Sequence, residues 1–262
     1  MEKLVPSQTK KEKKSIFQIF YYNSTPNEKK LIISASLLCA CFSLGIIGLP
    51  IWFKQPEFHC NIINSNSKIC DESEYCLKYN PSNISQKFQS LSYELHLFCE
   101  RQYKKRMMLT LIFLGGLIGC LVNISVHIKS ERRITAFSIL GIIYSLAHFG
   151  IFLFTDNELV VSFCLMLIAF TIMIGNSYGF TIINEYLSGD VAKASTIFFT
   201  LSRGAMGIVF AFFCYMINSS AKILSLVMGV GVFCLSAFLL NYKNEKGIKD
   251  VMRKRVFIFH GI

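Results

Sequence analysis

The chain reads as an all-α, polytopic membrane protein with about six spanning helices and one large loop on the non-cytoplasmic side. Three observations carry that reading. Of its 262 residues, 53% are hydrophobic and only 16% charged; six apolar runs are each about as long as a bilayer is thick; and the basic residues cluster at the ends of those runs. A soluble domain carries about 25% charged residues. A soluble globule of this size could not cover so much apolar surface, including 24 phenylalanines, and stay dispersed. The formal net charge of +11 would suggest nucleic acid in a soluble protein. At the flanks of apolar runs it orients a membrane protein instead, so the expected partner is the lipid bilayer, and no nucleic acid.

A hydrocarbon core about 30 Å thick needs roughly 20 apolar residues at a rise of about 1.5 Å each. Residues 31–53, 107–128, 134–154, 159–187, 196–217 and 223–242 meet that length. Their backbone groups have no water to bond, so helix is the only conformation open to them. The first 30 residues are polar and basic, with no early apolar core followed by a small-residue cleavage site, so the first run is expected to act as an uncleaved anchor.

Orientation follows from Lys and Arg. With the N-terminus inside, 17 basic residues fall on the cytoplasmic side and nine outside, which favours cytoplasmic termini at 1–30 and 243–262. The run from Arg101 to Arg106 pulls the other way. The long loop 54–106 is then exoplasmic. It holds Cys60, Cys70, Cys76 and Cys99, and four cysteines on an oxidising face suggest up to two disulfides, with three connectivities open. A zinc site from three of them with His59 is disfavoured, because compact zinc sites use closer pairs. The same loop carries the sequon Asn83-Ile84-Ser85, a glycosylation candidate. The chain is therefore expected in the plasma membrane or an endomembrane vesicle.

No G-x-S-x-G, H-E-x-x-H or P-loop is present, and neither enzymatic activity, cofactor nor metal is expected. The remaining cysteines are scattered through apolar runs, as small core residues are. Ionisable groups inside a bilayer are costly and face a cavity or a partner. Arg203 is the clearest, and Glu185 lies near the cytoplasmic end of the fourth run. Arg203 either lines a polar solute cavity or pairs with Glu185 to pin two helices. Asn176 and Tyr178 are further candidates for solute contact. His148 reads as a packing residue. Gly175 and Gly179 share one helix face, where another helix can approach closely.

One apolar run, a cysteine-bearing exoplasmic loop and five closely spaced runs form a recognisable layout. Tyr93-Glu94-Leu95-His96-Leu97-Phe98-Cys99-Glu100 precedes the second run, Lys129-Ser130-Glu131-Arg132-Arg133 lies between the second and third, and the glycine-rich stretch 175–186 contains Glu185 near its end. Together these resemble the N-terminal half of the major facilitator superfamily, in particular its organic cation/anion transporter family. Ile128 and Glu131 stand where the loop signature normally holds Asp and Gly. The resemblance implies transport of a small organic solute by rocking of helix bundles, with Arg203, Glu185, Asn176 and Tyr178 as the polar groups to test. Such transporters have two six-helix halves with the solute between them. A second copy or a missing C-terminal half is therefore an expected partner. The alternatives are a non-transporting membrane scaffold, an accessory subunit, or a truncated remnant.

Overall fold

The computed structural model describes residues 24–60, 68–70, 72, 76, 89–126, 128, 130–186, 189–216 and 220–243. Six long helices dominate: α1 (Pro26–Ile47), α2 (Gln102–Ser125), α3 (Ser130–Leu153), α4 (Glu158–Tyr186), α5 (Gly189–Met216) and α6 (Ala221–Lys243). All six are long and apolar enough to cross a membrane, the architecture of a multi-pass membrane protein. Asn83 and the segments 1–23 and 244–262 lie outside the described residues.

Local chemistry sets the ends. Thr25 caps α1 through a reciprocal capping box with Glu28, and Pro26 takes the first helical position, where its missing N–H costs nothing. The other end of α1 stops at Gly48, because Pro50 can neither donate to Ile46 nor clear its carbonyl; a further turn, Leu49–Trp52, follows. Asn157 caps α4 by accepting from the N–H groups of Leu159 and Val160. The span ends of α3, α4 and α6 agree with expectation to within a few residues; α1 and α2 begin five residues early, α1 ends six residues early, and α5 begins seven residues before the expected 196. Gly189, Asp190 and Lys193 are polar enough to stand outside hydrocarbon, yet they continue the same helix.

The packing has an internal symmetry. The substantial helix contacts are α1 with α4, α5 and α6, α4 with α2 and α3, and α3 with α6. Exchanging α1 with α4, α2 with α5 and α3 with α6 maps this set onto itself. A smaller α4–α5 contact has no counterpart of similar size. The exchange pairs α1–α3 with α4–α6, and the substantial contacts run between these two triples, not within them. Helices α1 and α4 form the centre, with Phe42 of α1 set edge-on against Phe137 and Tyr144 of α3. Helices α2 and α5 are the least covered spans, and Phe113, Leu117, Leu121 and Ile124 of α2 are all exposed. Such a stripe suits contact with lipid chains or another apolar helix.

Close approaches depend on glycine at two places. A Cβ on Gly115 or Gly119 of α2 would meet the carbonyl oxygens of Met166 and Phe170 on α4, so these two backbones touch. The α4 pair Gly175 and Gly179 instead receives Phe42 and Cys39 from α1.

A cap covers the loop side of the bundle. An antiparallel ribbon pairs Phe58–Cys60 with Lys68–Cys70, with Phe58 opposite Cys70 and Cys60 opposite Lys68. A short helical turn, Leu91–Glu94, is capped by Ser90; Leu91, Leu95, Leu97 and Phe98 then bury their side chains. His96 and Cys99 take positive φ of 50° and 55°, which folds the chain sharply before α2. Cys76 is disulfide-bonded to Cys99, with Cα atoms 5.6 Å apart, which removes it as a zinc ligand. Glu72 ties this segment down, accepting from Gln55 Nε2 at 2.8 Å and from the Cys99 N–H at 2.8 Å.

Candidate functional site

Arg203 lies midway along the 28-residue α5, about 20 Å from either end. Among the described residues no other charged side chain sits in the middle of a span. A cation at a helix centre costs about 2.5–3.5 kcal/mol on insertion scales, so the site must offset it. Arg203 shares the packed face of α5 with Phe199, Met206 and Phe210, one turn before and one and two turns after it. On the same helix the opposite face shows Leu201, Ile208 and Phe212 to the outside. The guanidinium stands over the Phe199 ring, 5.7 Å from its centroid, a favourable cation–π geometry. Beside it the Ser202 hydroxyl donates to Phe199 O at 2.8 Å and lies 3.5 Å from Ser36 O on α1.

Glu185 is not its partner. The Glu185 carboxylate accepts from the Arg133 guanidinium at the start of α3, and Arg133 Nε also donates to Ile128 O at 2.9 Å. The expected Arg203–Glu185 pair is corrected accordingly: Glu185 lies one residue from the end of α4, where α3 begins, whereas Arg203 is at mid-depth on α5. Tyr178 is buried on α4, two residues beyond Asn176. The four sequence candidates therefore divide. Glu185 sits with Arg133 at the end of α4, while Asn176, Tyr178 and Arg203 lie further into their helices.

Asn176 is half-buried, about 15 Å from the end of α4, on the side of the helix that faces α1. The Ser43 hydroxyl donates to Cys39 O at 2.9 Å and comes within 3.4 Å of Asn176 Oδ1. One turn further along α4, the half-exposed Phe180 meets Phe199 edge-to-face with centroids 5.3 Å apart. Sequence reading missed Phe180, Phe199 and Arg133. The aromatics are unremarkable in a Phe-rich chain, and Arg133 served as a topology marker. A second polar link, Asn123 Nδ2 donating to Ser177 Oγ at 3.0 Å, binds α2 to α4.

His148 is fully buried, with its ring against Tyr144 at 4.6 Å and Trp52 at 5.4 Å between centroids, and neither ring nitrogen has a hydrogen-bond partner among the described residues. On the loop side, Glu158 at the start of α4 pairs with Lys104 at 2.6 Å and Arg101 at 3.4 Å. A shallow depression there is lined by Lys104, Asp156, Asn157 and Glu158; it is far from Arg203. Nearby, Glu94 lies against the Lys222 N–H and the Ser220 hydroxyl at the start of α6. Its carboxyl is held above the ordinary carboxylate range, chiefly by burial, with the Lys222 contacts opposing. Among the described residues no group of three His, Cys, Asp or Glu side chains comes together as a metal site.

No family model matches the chain, and no curated protein matches it.

Proposed function

We propose that this bundle is one half of an alternating-access transporter of the major facilitator type, moving a small organic solute. The observation that carries the reading is the exchange symmetry of the helix contacts. Each six-helix half of such transporters is built from two inverted three-helix repeats, with the solute held near the bilayer midplane at the interface between repeats or halves. Here the central helices α1 and α4 bring Asn176 and Ser43 to that depth, and α5 brings Arg203. A second six-helix bundle, from another copy or a further half, would supply the facing wall. In this reading both termini are cytoplasmic, the disulfide-bonded cap is exoplasmic, Asn83 is available for glycosylation, and the Arg133–Glu185 pair holds the cytoplasmic ends of α3 and α4 together.

The test is uptake. Purified protein reconstituted into liposomes should accumulate radiolabelled organic ions in a saturable manner, above empty liposomes, under an imposed ion gradient. A monodisperse, correctly inserted preparation that moves none of them would reject the proposal. The cap favours a second reading, a scaffold or accessory subunit: a covalently closed exoplasmic surface tied to three helix ends suits a docking platform. Retention of a membrane partner without any uptake would support it.

A further inference from the structure

We infer that the solute is an organic anion with a single carboxylate- or sulfonate-like charge, and that Arg203 is the group that receives it. The inference rests on the transporter reading and adds the sign, number and position of the charge. Arg203 is the only charged side chain at mid-span among the described residues, and it faces the packed side of α5, not the lipid side. Glu185, the acid the sequence offers as its partner, is taken by Arg133. Among the described residues no acceptor lies within hydrogen-bonding distance of the Arg203 guanidinium. What it does have is a ring: Phe199 lies under the guanidinium and is braced by Phe180. That cation–π contact leaves the guanidinium N–H groups without an acceptor among the described residues.

A planar fork of N–H donors matches a carboxylate in two parallel hydrogen bonds. A bound monoanion would neutralise the guanidinium and let both reside in a low-dielectric centre. An organic cation would meet a like charge with no acid to offset it. A dianion would need a second cation, which this wall does not hold. The half-exposed Phe180 provides an apolar surface beside the fork, and the Asn176 amide provides a neutral polar contact at similar depth, so an aromatic monoanion fits best.

The experiment measures binding to the purified, full-length protein in lipid nanodiscs, with benzoate and benzenesulfonate as probes against benzyltrimethylammonium and benzyl alcohol. The expected result is saturable binding of the two anions, competed by neither of the others. Affinity should fall at least about tenfold in Arg203→Gln and only in part in Arg203→Lys, which keeps the positive charge but loses the two-pronged fork. Each variant is first checked for monodispersity. If Arg203→Gln does not fold, Phe180→Ala replaces it, with a loss confined to aromatic anions expected. Preferential binding of benzyltrimethylammonium, unchanged benzoate affinity in folded Arg203→Gln, or no anion binding up to about 10 mM would overturn the inference. Uptake is read separately. Anion binding without uptake would sink the transporter reading and leave the anion site standing, whereas uptake of the cation would do the reverse.

Discussion

Arg133 and Glu185, 52 residues apart in the chain, form an ion pair that joins the start of α3 to the end of α4. Their side chains are 13% and 32% exposed, so the pair is shielded on the Arg side and partly wetted on the Glu side. Breaking a fully buried pair costs about 3–5 kcal/mol. Partial exposure discounts that, and about 1–2 kcal/mol is expected for Arg133→Ala or Glu185→Gln. The exchange Arg133→Glu with Glu185→Arg should recover most of the loss in unfolding titrations in mixed micelles. The exchange Arg203→Glu with Glu185→Arg should recover none. Recovery by the second exchange would place Glu185 beside α5 after all.

The glycines differ in consequence although the sequence presents them alike. Gly115→Leu and Gly119→Leu must push α2 away from α4, at about 1–3 kcal/mol each. Gly204 has nothing within 4 Å of an added Cβ, so Gly204→Ala should be neutral or slightly stabilising through its effect on helix propensity. Equal losses at all three positions would contradict the helix pairing.

Glu94 supplies a pH dependence with a definite sign. Its folded pKa is raised above the reference of 4.5, so the docked cap binds the proton more tightly than the unfolded chain does. Its contribution is then fully present below the unfolded value and is lost as pH rises through the folded one. Glu94→Gln mimics the protonated form. It should raise thermal stability at pH 7 and flatten the stability profile between the reference value and neutrality. Lower stability of Glu94→Gln at pH 7 would show that charge at the α6 terminus outweighs burial.

With Cys76 bonded to Cys99, one intraloop partner remains for Cys60, namely Cys70. The backbone register sets Phe58 opposite Cys70 and Cys60 opposite Lys68, so the two cysteines are diagonal positions of one strand pair. Peptide mapping without reductant should find both linkages and no Cys60–Cys99 product. Free Cys60 and Cys70 beside an intact Cys76–Cys99 bond would reject the second bridge.

The six helices were legible because span length and apolar composition alone specify them, and no tertiary detail is needed. The start of α5 was not, since Gly189 to Lys193 look like a loop until the continuing helix is seen. Charge partners were legible as a need but not as a choice. Arg203 and Glu185 stand out in the sequence as charges that need a partner. Which cation answers Glu185 depends on α3 and α4 meeting at one end of the bundle, and hydropathy does not encode that meeting. The loop cysteines gave an even number with three pairings open, and only the fold of the cap selects among them. The ribbon itself, three residues per strand, carries too short a pattern to stand out.

The cap is encoded early and completed late. Gln89 O accepts from Ala221 N–H, and Glu94 rests on Lys222, residues made well over a hundred positions later. During synthesis the loop thus emerges long before the helix end that seats it. The Cys76–Cys99 bond can close without α6, but the seats of Gln89 and Glu94 exist only once α6 is in place. That interval is a window in which a chaperone could hold the loop. A ribosome stalled before residue 221 would leave a disulfide-bonded cap without its α6 contacts.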